Sequence, residues 1–308
     1  MSLFVVVGAG GTGITTARML TDAGHRVRLV TRRGAGPDRP GVERIAADAS
    51  DADRLTDLSR GAETLINCAA PPYHTWAELY PPLAGAVLTA AQRTGAGYVL
   101  LDNLYAYGQV DGPMTEDLAL APNSVKGRIR AEHWQAAVAA HEAGRVKVTS
   151  VRASDFVGAG ATSVFTLVVV PKVLAGKRAL FPGDLDAPHS WTSTADAARA
   201  LCTVAQDDRS WGKPWHAPTD QAVSVRDLAA LLAETAGASE PKLGRMPGWM
   251  LTLGGLFNAQ VRELPEIQYQ FRQPFLLDSS RTEQTFGLKP TPLTVTLKDM
   301  PANSPDAR

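Results

Sequence analysis

Phe4-Val5-Val6-Val7-Gly8-Ala9-Gly10-Gly11-Thr12-Gly13 decides how this chain folds. Its four leading apolar residues read as a strand buried on both faces, the kind found in a parallel sheet covered by helices. A glycine-rich turn follows, Ile14 to Ala23 has helical composition, and Arg26 to Val30 reads as a second strand. Gly8, Gly10 and Gly13 fit G-x-G-x-x-G. The first glycine permits the tight turn, the second lets the backbone approach a pyrophosphate, and the third lets helix and strand pack closely. The helix start, with Gly11 and Thr12, offers its free N–H groups to the anion. Standing alone, these glycines would mark only a turn. Inside a strand–turn–helix–strand unit they predict a dinucleotide cradle.

Composition narrows the classes. A chain of 308 residues can bury a large core, as one large domain or two modest ones. Lys plus Arg equals Asp plus Glu, 31 each, so neither nucleic acid nor an anionic membrane is an expected partner. No stretch approaches the ~20 apolar residues that span a bilayer. Met1 leads straight into a strand without basic, apolar and cleavage regions, so no secretory signal and a cytoplasmic location are expected. Cys68 and Cys202 sit in apolar runs, not at metal-ligand spacing, and read as buried thiols with no metal expected.

The end of the second strand bears on which dinucleotide is bound. An acid there would accept from a ribose 2′-OH. The residues are Thr31-Arg32-Arg33, a hydroxyl and two guanidiniums that suit a 2′-phosphate, so NADP(H) is the expected cofactor. The competing reading is that both arginines are solvated loop charges. A third strand, Glu43 to Ala47, leads to Asp48, placed to lie beside an adenine ring; Ser50 or Asp51 would cap a helix beginning near Ala52. The fourth, Glu63 to Asn67, runs into Cys68-Ala69-Ala70, whose small size allows close backbone approach to the cofactor. Tyr73 and His74 follow at the rim where open α/β sheets bind ligands. His74 is either a substrate contact or a solvated loop histidine. Pro82 to Arg93 reads as a helix.

The fifth strand, Gly97 to Leu101, ends in Asp102-Asn103-Leu104-Tyr105-Ala106-Tyr107-Gly108. With the glycine turn, Tyr107-Gly108, Val151-Arg152, Gly158-Ala159-Gly160, His189 to Arg199 and Asp278-Ser279-Ser280-Arg281, the chain resembles the extended and atypical short-chain dehydrogenase/reductases, the NAD-dependent epimerase/dehydratase-like group. The resemblance covers nearly the whole chain and implies fold more firmly than reaction. It also exposes departures. Where the group has a Ser or Thr four residues before its Tyr-Gly pair, Asn103 stands; where it has Tyr-x-x-x-Lys, Pro122 precedes Lys126. The resemblance then makes Lys126 the cofactor or catalytic lysine, against a surface helix charge, on the helix Gly127 to Ala143. Tyr105, Tyr107 and Lys126 itself are the candidates for the lost proton donor. Tyr107 equally suits packing under its loop. By resemblance, Ala153-Ser154-Asp155 passes along the nicotinamide ring, and His189 and Trp191 face the substrate, with core packing as the other reading of Trp191.

Phe165 to Leu174 reads as an apolar helix, Ser193 or Thr194 and Ser224 as helix caps, and Pro241 to Arg262 as an apolar helix with Trp249, Met250, Leu253, Leu256 and Phe257 at helical spacing. That stripe belongs either to core or to a substrate cleft. Pro301 to Arg308 is expected to be disordered. The expected architecture is a doubly wound parallel sheet (Rossmann) at residues 1–155, to which 188–218 returns, with a smaller, discontinuous substrate lobe within 156–308. The expected function is an NADPH-dependent reductase acting on a small, partly apolar carbonyl, imine or activated C=C, as monomer or homodimer. The alternatives are a redox-neutral epimerase or dehydratase with tightly bound NAD(P), and a non-catalytic NADP(H)-binding regulator.

Overall fold

In the computed structural model, which describes residues 1–300, the opening apolar run is β1 (Leu3–Val7), buried along its whole length. The chain continues as α1 (Gly11–Asp22), β2 (Arg26–Thr31), β3 (Val42–Ala46), α2 (Ala52–Ser59), β4 (Thr64–Asn67), α3 (Trp76–Thr94), β5 (Gly97–Asn103), α4 (Val125–Glu142) and β6 (Val148–Ala153). Then come β7 (Asp155–Val157), α5 (Val170–Leu174), β8 (Ala179–Phe181), β9 (Trp191–Ser193), α6 (Thr194–Val204), β10 (Pro214–His216), α7 (Val225–Ala236), β11 (Leu243–Arg245) and α8 (Gly248–Phe257). Two short turns of helix, α9 (Ala259–Arg262) and α10 (Leu264–Ile267), precede the last segments. The expected disorder of Pro301 to Arg308 concerns residues outside those described.

Seven parallel strands form one sheet in the order β10-β6-β5-β4-β1-β2-β3. β1 has β2 on one side and β4 on the other, with Val7 opposite both Val30 and Asn67. The chain order reverses there, and open α/β sheets bind ligands in the crevice outside the carboxyl ends at such a point. Alternate residues of β1 feed different cores, as the two-residue pleat requires. Val5 and Val7 pack with Leu55, Val87, Tyr98 and Trp134 on the α2–α3–α4 face. Phe4 and Val6 pack with Leu20, Leu29, Leu201 and Trp215 on the α1–α6 face. A third cluster, around Phe165, Phe181, Trp191, Leu228 and Phe271, lies beyond the seven-stranded sheet. No helix among the described residues is long and apolar enough to cross a membrane.

Several elements differ from expectation. α3 begins at Trp76, not Pro82, and carries Pro81 and Pro82 inside it. The Trp76 ring stacks on Tyr80 at 5.6 Å and its Nε1 donates to the Pro71 carbonyl, so side-chain packing starts the helix before the prolines. Phe165 to Leu174 is a wide π-type turn over Phe165–Val169 followed by α5, because Pro171 lacks the N–H that would bond one regular turn back. The stripe on α8 neither packs in the core nor lines a cleft: Trp249, Leu256 and Phe257 are 67%, 74% and 86% exposed. That helix is apolar on all sides, so its spacing carried no information about which face is covered.

Two buried histidines pair with tyrosines. Tyr107 Oη lies 2.9 Å from His216 Nε2, and His216 Nδ1 lies 2.8 Å from the Asp278 carbonyl, which can only accept. His216 is therefore a neutral imidazole, donating from Nδ1 and accepting from the phenol. Tyr98 Oη meets His133 Nε2 at 2.8 Å. Burial, above the other influences, pushes both imidazoles down to about 4 from 6.5. A base with a depressed folded pKa contributes stability that is fully present above its unfolded value and is lost as pH falls through the folded one. Urea-unfolding midpoints are therefore expected to drop between pH 6.5 and 5, above the carboxylate range; a flat profile there would overturn the neutral assignment.

Candidate active site

A cavity of about 740 Å³ runs along the carboxyl ends of the strands, from the glycine turn at one end to an aromatic wall at the other. Gly8, Gly10, Gly11, Thr12 and Gly13 form its floor at the first end. A Cβ at Gly13 would sit 2.1 Å from the Gly8 carbonyl oxygen, whereas one at Gly10 would meet nothing within 4 Å. Gly13 is thus glycine because α1 must press on β1, and Gly10 leaves open space where a ligand can approach. The α1 N-terminus has no side-chain cap and no acid in its first turn, which leaves its N–H groups to an anion.

Thr31, Arg32, Asp48 and Ser50 continue the wall from this end. Asp48 accepts from the Ser50 N–H at 2.9 Å and hydroxyl at 2.7 Å, and these bonds, with Arg32 nearby, hold its carboxyl below the usual range. Asp51, not Ser50, caps α2, accepting from the Arg54 N–H. Arg33 is exposed and does not line the cavity. Cys68, Ala69 and Ala70 form the middle wall. The Asn67 side chain accepts from the Ala69 N–H at 3.0 Å and sets that bend. Burial pushes the Cys68 thiol up to about 12, so it keeps its proton.

The inner end gathers Tyr73, Trp76, Asp102, Asn103, Tyr105, Arg130, Ala153, Ser154, Asp155, Gln270 and Phe275. Asn103 turns its Oδ1 back to accept from the Tyr105 N–H at 3.1 Å. Tyr73 Oη donates to Tyr105 Oη at 3.4 Å, and burial pushes the Tyr105 phenol up to about 12. At neutral pH that phenol is a donor and not a base. His189, reached through Asp155, stands behind the wall, with Nε2 3.0 Å from Asp155 Oδ2.

Besides Arg33 and His189, four expected site residues lie off the cavity wall. Tyr107 packs beneath the loop against His216, with the Arg152 guanidinium 4.8 Å from its ring. His74 is an exposed loop residue, and Trp191 is a core side chain whose Nε1 donates to the Val223 carbonyl. Lys126 is buried but does not line the cavity: its Nζ bonds Glu263 at 2.5 Å and Glu266 at 2.6 Å, 4.6 Å over the Tyr73 ring. Its two carboxylate partners lie over 130 residues away, so nothing local announced them.

Arg130 is the cation that does line the inner end. One helical turn after Lys126, it falls on the same face of α4. Its Nη1 reaches Asp102 Oδ1 at 3.2 Å and the Tyr80 hydroxyl at 2.6 Å, and its guanidinium lies 4.6 Å from the Trp76 ring and 4.2 Å from the Tyr80 ring. The spacing Lys126-x-x-x-Arg130 was the available signal. Gln270 and Phe275 carried none, since they arrive from beyond α10.

These residues fit a dinucleotide. The open face at Gly10 and the uncapped helix suit a pyrophosphate. At the inner end, Asp102 Oδ2, Arg130 Nε, Ser154 Oγ and the amide oxygen and nitrogen of the Gln270 side chain are buried without a hydrogen-bond partner among the described residues. Such atoms are unfavourable unless something fills their valences. Among the described residues, no group of three or more His, Cys, Asp or Glu is arranged to hold a metal ion.

Known proteins share this fold. Residues 4–216 match the model of the NAD-dependent epimerase/dehydratase family. The chain is 29% identical over 253 residues to dTDP-6-deoxy-L-talose 4-dehydrogenase (NAD(P)(+)) of Kitasatospora kifunensis, covering 74% of this chain and 78% of that one. Bordetella bronchiseptica WbmH, solved with NAD+, superposes with a TM-score of 0.77 at 18% identity, covering 97% and 96% of the two chains. A double mutant of DesIV, a dTDP-glucose 4,6-dehydratase of Streptomyces venezuelae solved with NAD, gives 0.78 at 21% identity over 98% of each.

Two substitutions test the geometry. Gly10→Ala should fold with an unchanged melting temperature yet lose most dinucleotide binding in a fluorescence titration, because its methyl enters only ligand space. Lys126→Met should lose about 3 kcal/mol of stability by stranding two carboxylates. Its dinucleotide affinity should stay within about threefold, well under the tenfold that 1.4 kcal/mol represents. A large affinity loss at unchanged stability would return Lys126 to the cofactor. Burial raises Glu266, but hydrogen bonds from Lys126 outweigh it and leave the carboxyl low. The stability it contributes is present above about pH 4.5 and is lost as pH falls through the lowered folded value.

Proposed function

The chain belongs to the NAD-dependent epimerase/dehydratase family, and from that premise we propose that it binds a nicotinamide dinucleotide along the cavity and moves a hydride at the inner end. The observation that carries this reading is the single cavity joining the glycine turn to a polar, partly unpartnered inner wall at Asp102, Arg130, Ser154 and Gln270. A bound nicotinamide supplies hydride acceptance and donation. Gly8 to Gly13 hold the pyrophosphate, Arg130, held by Asp102, orients the nicotinamide ribose, and Tyr73, Trp76, Tyr105 and Phe275 present an aromatic surface to the substrate. Tyr105 donates a hydrogen bond to the substrate oxygen.

The epimerase/dehydratase family and the dTDP-glucose 4,6-dehydratase neighbour favour a redox-neutral course, in which hydride taken from a sugar-nucleotide substrate is returned before release, over the net reduction expected from sequence. A net NADPH-dependent reductase is the second reading. It is favoured by one observation: the later segments contribute no cation to the cavity wall, only residues such as Thr162, Thr194, Gln270 and Phe275, where a diphosphate would call for one. Single-turnover mixing of protein loaded with NADP+, and in parallel with NAD+, with dTDP-glucose, followed by nicotinamide absorbance, separates them. Reduced nicotinamide that rises and decays supports the redox-neutral course. Net consumption of NADPH with a panel of carbonyl, imine and enone substrates, and none with dTDP-glucose, replaces it with the reductase.

NADP(H) remains the proposed dinucleotide, because Arg32 lines the wall at the end of β2 where an acid would select NAD. Arg32→Ala is expected to weaken NADPH about tenfold more than NADH, the scale of one charge-assisted contact, while Arg33→Ala changes neither. Equal losses of both nucleotides in Arg32→Ala would discard the preference.

A further inference from the structure

We propose that Asp155 is the residue that takes up and returns the substrate's proton, and that His189 acts as a positioning residue holding it in the charged form from behind the wall. This rests on the hydride chemistry proposed above. Two contacts of one imidazole carry it. His189 Nδ1 lies 3.2 Å from the Gln270 carbonyl and Nε2 lies 3.0 Å from Asp155 Oδ2. A carbonyl only accepts, so Nδ1 carries a hydrogen. A second hydrogen must lie between Nε2 and Oδ2, since two lone pairs facing each other there would leave both atoms unsatisfied in a buried place. The pair is then either imidazolium and carboxylate, or imidazole and carboxylic acid.

The surroundings select the first form. Phe271 and Phe275 stack on the imidazole at 5.0 and 5.2 Å, with interplanar angles of 21° and 20°. Aromatic faces at that distance stabilise a cation. His189 is 2% exposed and absent from the cavity wall, while Asp155 lines it. Asp155 Oδ2 is engaged by His189, and among the described residues none donates a hydrogen bond to Oδ1, which leaves Oδ1 for the substrate. The other groups facing Asp155 do not compete. Its charge raises the phenols of Tyr73, Tyr105 and Tyr269, for each of which burial is the larger influence, so all three stay protonated. Arg130 acts on Tyr105, and Glu266, which acts on Tyr73, is held by Lys126. Asp102, the other carboxylate of the inner wall, is fully enclosed and paired with Arg130.

In the oxidising direction, the substrate O–H bond breaks and its proton passes to Asp155 Oδ1. The O–H electron pair becomes the second bond of a carbonyl, and the C–H pair leaves as hydride to the oxidised nicotinamide dinucleotide. Asp155 ends neutral, His189 stays an imidazolium, and the reverse step restores the carboxylate.

The test uses full-length protein labelled with 15N-histidine, the His189 signals being assigned by their loss in His189→Gln. Both ring nitrogens of wild-type His189 should be protonated at pH 7, and the titration midpoint should fall by at least one unit in Asp155→Asn, which keeps the side chain's size. A singly protonated His189 at pH 7, or the same midpoint in both proteins, overturns the proposal, and the first outcome needs no Asp155 variant. With the substrate that turns over in the panel above, Asp155→Asn should lower kcat by about 100-fold, the scale of one general base, with KM within a few fold and the acidic limb of the pH profile lost. Titration of the wild-type sample with NAD+ and NADP+ separates the two readings. No saturable binding brings down the dinucleotide reading itself; binding with an unshifted His189 midpoint brings down only the role of Asp155.

Discussion

Backbone pressed against backbone at the first turn is the constraint on which the rest of this molecule depends. A methyl at Gly13 would overlap the Gly8 carbonyl, one at Gly8 would lie 2.8 Å from Ala69, and one at Gly11 would lie 2.6 Å from the Gly160 carbonyl. The turn after β1 is therefore held between the loop after β4 and the loop after β7. No side chain intervenes, so the three loops define one narrow edge where the carboxyl ends of the strands meet the α1 N-terminus. Interiors at native packing density transmit such displacements instead of absorbing them. A shift of the first turn moves the anion site and the roof over it together.

The two cations of α4 show how burial divides labour on one helix face. Lys126 and Arg130 stand one turn apart, yet Lys126 is turned toward Glu263 and Glu266 while Arg130 is turned toward Asp102 and three aromatic or carbonyl partners. A desolvated ammonium with two carboxylates is a strong tie between α4 and the α9–α10 segment, though replacing such a cluster with apolar packing is often no less stable. What it secures is register: Glu266 also accepts the Lys126 backbone N–H, so α10 can seat in one position only. That position sets Gln270 in the cavity wall four residues later. The guanidinium suits the inner wall because its planar face lies against Trp76 and Tyr80 while its edge keeps donors for other partners.

The fold was legible because its signals are local. An apolar run, a glycine turn and a second strand occupy about thirty consecutive residues, and their physical meaning does not depend on distant chain. The nucleotide end of the cavity was legible for the same reason: Gly8 to Gly13, Arg32, Asp48 and Cys68 to Ala70 follow directly from strand ends, which a parallel sheet brings to one edge. The inner end was not. Arg130 lies on a helix face, and Gln270 and Phe275 come from a segment over 100 residues after β6. Resemblance pointed to Lys126 because a lysine in that region is the usual ribose contact; only the positions of Glu263 and Glu266 reveal where its ammonium goes. His189 and Trp191 were expected to share a role, yet they are two residues apart leading into β9. Trp191 ends in the core with Phe165, and His189 ends behind Asp155.

Loss of the tyrosine ahead of the family's lysine has a structural counterpart. A phenol works as a base only where a neighbouring cation lowers its pKa. Here Lys126 is neutralised by two carboxylates and the cavity phenols are driven upward by burial, so a tyrosine base would have no support. A carboxylate needs the opposite surroundings: a cation close by, and few donors on the oxygen that meets the substrate. In the form proposed above, His189 would meet the first requirement, and Oδ1, to which no described residue donates, the second. The parts come from three places: Asp155 from β7, His189 from the approach to β9, and the Gln270 carbonyl with Phe271 and Phe275 from beyond α10. Since the Lys126 clamp seats α10, it also helps to fix the Gln270 carbonyl that lies 3.2 Å from His189 Nδ1, and so the orientation of that imidazole.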